Sequence, residues 1–222
     1  MSENKNYKQA LLTLVTVFFF WGFIAASNGV FIPFCKTYFS LDQFQSQLID
    51  FAFYGAYYIG ALFLFISSSL RNTDIMNSWG FKSSIVKGLI LSALGAGAMV
   101  MAVNGAAPGD SNTFNYILGA LFIVGLGFSL QQTAANPFAI SLGDPDKGSH
   151  RLNLAGGVNS FGTAIGPIVV SLALFGTAAS ANIDLVSEIA NKNITLTVVQ
   201  YLYIAVGVLF LAAAALFHFS KK

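Results

Sequence analysis

Six long apolar stretches separated by short polar connections run through the chain, at about residues 10–34, 48–70, 83–103, 116–142, 152–176 and 198–219. Each holds roughly 20 residues or more, which at about 1.5 Å per helical residue is enough to cross the hydrocarbon of a bilayer. The pattern predicts an all-α membrane protein with six transmembrane helices in one domain over residues 1–222. Asn28 and Gly29 interrupt the first run and Pro33 is expected to close it, with residues 36–47 as the first polar connection. Ala25, Ala26 and Ser27 resemble a signal-peptide cleavage site, but the apolar core before them is too long for a typical signal and more spans follow. The connection at residues 105–115 carries Pro108, Gly109 and Asp110 and reads as a turn-rich loop. A longer one at 178–197 contains Asp184, Glu188 and Lys192, with room for a short surface helix. Asn193, Ile194 and Thr195 there form a glycosylation triplet of a kind common by chance.

Composition agrees with this class and narrows it. The chain is 55% hydrophobic and 9% charged, with mean hydropathy +0.69, whereas about a quarter of the residues in a soluble domain are charged. A net charge of +2 from scattered basic residues excludes a nucleic-acid surface. With the N-terminus inside, Lys5, Lys8, Arg71, Lys82, Lys87, Lys147, Arg151, Lys221 and Lys222 fall on the cytoplasmic side, against Lys36 and Lys192 outside. That asymmetry follows the positive-inside rule and predicts that both termini are cytoplasmic. A lone cysteine, Cys35, excludes an internal disulfide and reads as a small apolar filler. His150 and His218 lie too far apart for a recognisable metal motif, so no cofactor or metal is expected.

The chemistry concentrates between Leu130 and Gly166, where amides interrupt two otherwise oily helices. Gln131, Gln132, Thr133 and Asn136 precede Pro137, and Asn153, Asn159, Ser160 and Thr163 follow in the next span. An unpartnered amide in lipid costs several kcal/mol on alkane-like scales, roughly 4–8, so these groups must face other helices or a wet cavity. Ser129, Gln132 and Asn136 share one helical face, and Asn159 and Thr163 stack one turn apart on the next helix. Asp144, Asp146, Lys147, His150 and Arg151 form a charged hairpin between them, expected to lie in water. In the second span Asp50 and Tyr54 are one turn apart, while Tyr57 and Tyr58 read as an interfacial aromatic belt. Gly88, Gly95 and Gly97 in the third span read as close-packing positions, and Gly162 and Gly166 form a GxxxG pair before Pro167. A membrane enzyme has little support, because the spans contain no Glu and no paired carboxylates, and no selectivity-filter motif points to a channel.

QTAANPF, followed after a Gly-Asp-Pro loop by RLNLAGGVNSFGT, resembles the fourth and fifth helices of the fucose:proton symporter family, a sugar-transporting branch of the major facilitator superfamily. FFFWGFIAASNGVFIPFCKTYFSLDQFQSQLIDFAFYGAYYIGAL is similar to that family's first two helices, so the likeness runs from about Phe18 to Thr163. It implies the N-terminal half of a facilitator fold, built from two inverted three-helix repeats and facing a second six-helix half across the substrate site. It also implies monosaccharide transport by alternating access in a bacterial inner membrane. The implied pocket comprises Asn28, Gln132, Asn136 and Asn159, walled by Trp21 and Tyr54. In the family an Asp follows the first-helix Asn and a Glu precedes the TAANP run; here those positions hold Gly29 and Gln132, and Gly156 replaces a glutamine after RLNLA. Family-type proton coupling is therefore not expected from these positions. Coupling by sodium, by an acid elsewhere, or none at all are the alternatives. The motif joining helices two and three of many facilitators survives only as a trace in Arg71, Asn72, Thr73 and Asp74, so no gating residue is carried over. The expected partners are a sugar, a coupling proton or sodium ion, the lipid bilayer, and an absent C-terminal half or a second copy. A fragment or truncated reading frame is favoured over paired N-terminal halves. A non-transporting sugar-binding or assembly subunit is the alternative function.

Overall fold

Side-chain caps, rather than the edges of the apolar runs, set where several helices begin. The computed structural model describes residues 2–175 and 196–219, with side chains from Ala10 onward. Its elements are α1 (Ser2–Tyr38), α2 (Gln43–Arg71), α3 (Ile75–Trp79), α4 (Phe81–Val103), α5 (Ser111–Ser141), a 3-10 turn (Pro145–Lys147), α6 (Gly148–Phe175) and α7 (Leu196–Phe219). All but α3 and the 3-10 turn are long and apolar enough to cross a membrane. The loop at 178–195, with its sequon and candidate surface helix, lies outside the described residues, as do Lys221 and Lys222.

The Asp42 carboxylate accepts from the Gln45 N–H at 2.7 Å while the Gln45 side chain accepts from the Asp42 N–H at 3.0 Å. This reciprocal capping box satisfies two backbone donors and starts α2 five residues before the apolar run does. Asp110 caps α5 without the reciprocal bond, its carboxylate accepting from the Asn112 N–H at 2.9 Å and from the Thr113 hydroxyl at 2.7 Å. Its carboxyl is held below the usual carboxylate range, first by the Thr113 hydroxyl and then by the Asn112 amide. Asp74 caps the short α3, whose Ile75 and Met76 are buried against the main bundle.

Pro33 does not close the first helix, which continues to Tyr38. The proline ring costs the Gly29 carbonyl its helical partner, but Gly29 is exposed with open space around it, so that carbonyl is not sealed in a dry core. Arg151 is not a hydrated loop charge, being only 3% exposed. Its guanidinium reaches back from α6 to the end of α5, donating to the carbonyls of Ala139 (2.8 Å), Ile140 and Asp144 (2.9 Å). The last carbonyls of a helix have no intrahelical partner and carry its negative dipole end, so a fixed planar cation there serves three acceptors at once.

Small residues decide which helices touch. α1 lies along α6, α2 along α5, and α4 packs on both α5 and α7. A Cβ on Gly162 or Gly166 would overlap the carbonyls of Phe19 and Phe23, and one on Gly22 the carbonyl of Asn159, so α1 and α6 meet backbone to backbone. Gly125 meets the Phe53 carbonyl of α2 in the same way. The α1–α6 and α2–α5 pairs exchange when the first three spans are swapped with the last three, as two inverted three-helix repeats require. Gly88 and Gly95 face α5, but Gly97 looks into open space and is not a packing glycine. Two apolar clusters fill the bundle. One, around Leu14, Trp21, Phe128 and Phe217, lies toward the ends of α1 and α7 that carry the chain termini. The other, around Phe34, Cys35, Met99 and Phe175, lies toward the opposite end.

Candidate functional site

The pairing of α1 with α6 and of α2 with α5 leaves a cavity of about 230 Å³ where the four helices converge. Trp21, Gly22 and Ala25 reach it from α1, Phe53, Tyr54 and Tyr57 from α2, Phe128 and Gln132 from α5, and Asn159 and Thr163 from α6. Its volume is below the roughly 300–1,000 Å³ of drug-sized sites, which suits a small solute. Aromatic rings form its walls and a few polar groups converge between them.

Two adjacent glutamines divide the labour on α5. Gln131 is fully buried and accepts the Trp21 indole N–H at 3.1 Å while donating to the Ser92 hydroxyl at 2.8 Å, tying α5 to α1 and α4. Gln132, about 100° further round the helix, lines the cavity, and its amide has no hydrogen-bond partner among the described residues. On α6 the Asn159 amide nitrogen donates to the Phe18 carbonyl at 2.9 Å, which leaves its oxygen free to accept from a ligand. The Thr163 hydroxyl donates to the Asn159 carbonyl at 3.1 Å, turning its lone pairs outward. Replacing Gln131 by Ala is expected to strip two partners from a dry three-helix junction and cost on the order of 1–3 kcal/mol. A lowered unfolding temperature of the detergent-solubilised protein checks this; Gln132→Ala should leave that temperature nearly unchanged.

The structure thus brings Trp21, Tyr54, Gln132 and Asn159 to one cavity. Asn136 stands one turn beyond Gln132 but does not line it, and Ser129 of the same predicted face is buried against Gly60 of α2. Asn28 is also elsewhere: it is 4% exposed and donates to the Asp50 carboxylate at 3.1 Å. Tyr57, read from sequence as an interfacial ring, joins Tyr54 in the wall through i, i+3 spacing, whereas Tyr58 points away and is 65% exposed. That spacing was visible in the sequence. The direction in which it faced was not.

A bundle of six membrane helices in two inverted repeats, with a polar cavity on one side of their junction, is the half-domain of a major facilitator fold. No family model matches the chain. It is similar to bacterial proteins named as glucose/galactose transporters and L-fucose-proton symporters. It is 35% identical over 183 residues to a glucose/galactose transporter of Brucella abortus, a match covering 82% of this chain and 41% of that protein. It is 33% identical over 163 residues to the L-fucose-proton symporter of Escherichia coli K12, covering 73% and 34%. Its backbone matches a crystal structure of the major facilitator superfamily transporter FucP in the outward conformation. The TM-score there is 0.71 at 29% identity, over 97% of this chain and 50% of that one. The chain spans about half the length, or less, of the proteins it matches.

Proposed function

We propose that the chain is the N-terminal half of a monosaccharide transporter that works by alternating access, its cavity completed by a second six-helix half. The unpartnered Gln132 amide in an aromatic-walled cavity carries this reading. A carboxamide both donates and accepts, matching the alternating demands of sugar hydroxyls, while the faces of Trp21, Tyr54 and Tyr57 suit the apolar C–H surface of a pyranose ring. The relatives' names, glucose/galactose transporter and L-fucose-proton symporter, point to the same substrate class. Those names weigh against a non-transporting subunit. The excess of basic residues on one side supports cytoplasmic termini, and the bacterial relatives support an inner-membrane location.

Gln132 and Gly29 carry no titratable proton, so they serve sugar contact and helix geometry rather than ion coupling. Replacing Gln132 by Ala is expected to weaken binding by one or two buried hydrogen bonds, on the order of 1–3 kcal/mol. Calorimetric titration of the whole transporter with glucose, galactose and fucose measures it. An unchanged affinity for every sugar that binds removes Gln132 from the site.

A further inference from the structure

An ionisable side chain inside a bilayer is costly, and it persists where it is paired and used. Asp50 is the only carboxylate more than one turn inside a described membrane helix. It sits seven residues beyond Gln43, roughly 10 Å along α2 at 1.5 Å per residue, and two residues past the start of the apolar run at Leu48, so it stands near the mouth of the span rather than at its middle. It is half-buried, and its Oδ1 accepts the Nδ2–H of the buried Asn28 at 3.1 Å. On α1 the cavity-lining Ala25 lies one turn before Asn28, and on α2 the cavity-lining Tyr54 lies one turn after Asp50. The carboxylate–amide pair therefore stands one turn beyond the cavity wall on both helices, toward the end where α2 begins.

We propose that Asp50 is the proton-carrying group of the transport cycle, a carboxylate held against the Asn28 amide at the edge of the sugar cavity. This rests on the sugar-transport reading and adds to it the identity of the coupling ion. A proton taken from one aqueous face converts the carboxylate to the neutral acid, and its loss to the other face regenerates the carboxylate. The protonated form has an O–H to donate, which the Asn28 carbonyl accepts once the amide turns over. A metal cation fits poorly, because a hard cation such as calcium needs about six oxygens and the Asp50 carboxylate with the Asn28 amide in either orientation supplies at most three. The groups around Asp50 are few. α1 offers Asn28 and, further on, Lys36, whose ammonium is held by Gln43 at 2.6 Å. Tyr54 lies one turn along α2 itself. The single titratable group on α5, Tyr116, lines a separate cleft with α4, and α3, which meets the far end of α2, has none. Among the described residues no basic side chain is paired with Asp50, so its protonation changes the local charge outright.

The test uses the whole transporter in proteoliposomes with sodium absent. Sugar exchange at equal pH on both sides reports the transport reading alone, and its failure in the unmutated protein sinks that reading. If exchange is present, a one-unit inward proton gradient is expected to drive sugar accumulation of up to about tenfold, since one pH unit corresponds to 1.36 kcal/mol. Asp50→Asn should lower that ratio to one, the sugar still equilibrating. Should that variant fail to equilibrate, Asp50→Glu keeps an acid on a longer stem and is expected to retain accumulation with a displaced pH midpoint. Accumulation that persists in Asp50→Asn, an undisplaced midpoint in Asp50→Glu, or accumulation in the unmutated protein only when sodium is added each overturns the proposal.

Discussion

Gly162→Leu is expected to abolish a stable α1–α6 pair, leaving no monodisperse protein after detergent extraction. Even a single Cβ at this position overlaps the Phe19 carbonyl and sits 3.0 Å from the Phe23 amide nitrogen. Both obstacles are backbone, so neither can swing aside as a flexible side chain would. The helices must separate, and with them go the contacts at Gly22 and Gly166 along the same seam. Overpacking a closed core costs about 1–3 kcal/mol for added methylenes, and a leucine against a fixed backbone falls at or above the top of that range. Gly162→Ala should lie within it. Gly97→Ala provides the contrasting sign. Gly97 is exposed on α4 with nothing near its missing Cβ, so alanine there removes a helix-weakening glycine and should stabilise by about 0.5–1 kcal/mol. Unfolding temperatures measured side by side in detergent check both; equal shifts for Gly162→Ala and Gly97→Ala contradict the seam.

Arg151→Ala is expected to be the other large effect. Hydrogen bonds to a charged group contribute about 1.5–3 kcal/mol each, and a buried acceptor left without its donor costs about 1–3 kcal/mol. Here three backbone carbonyls lose the donor they share, a guanidinium that is itself buried. Arg151→Lys keeps the charge but cannot span the carbonyls of Ala139, Ile140 and Asp144 together, so an intermediate loss is expected. Differential unfolding of the two variants measures this, and Arg151→Lys matching the unmutated protein shows that charge alone suffices. The neighbouring His150 is exposed and makes a comparison site on the same turn.

The six spans were legible because hydropathy over twenty or more residues overrides local detail, and their order placed the helices in sequence correctly. Their ends were less legible, since Asp42 and Asp110 extend α2 and α5 into polar sequence through capping that hydropathy does not register. Pro33 misled for a related reason. A proline ends a helix in water by default, but in α1 the carbonyl it releases belongs to an exposed glycine. Within the site, the amides that interrupt the oily helices drew the eye to α5 and α6, and Gln132 and Asn159 do line the cavity. Their roles came only from packing, because two residues adjacent in sequence face directions 100° apart. Gln131 turned inward to Trp21 and Ser92, and Gln132 turned to the cavity. Asn28 read as a pocket residue because of its neighbours in the resemblance. Its position on α1 instead directs it at Asp50, which the sequence offered only as a residue one turn from Tyr54.

A monosaccharide in the cavity shared by α1, α2, α5 and α6 would shield the side chains of its wall. Thr163 is exposed at its wall, and the one native cysteine of this half, Cys35, is fully buried. The most direct measurement is the rate at which a maleimide labels Thr163→Cys in the whole transporter, its other accessible cysteines replaced, with and without glucose, galactose or fucose. Slower labelling with at least one of these sugars, and none with a non-sugar osmolyte at the same concentration, is the predicted result. A rate unchanged at saturating concentrations of all three would place the sugar elsewhere and contradict the assignment.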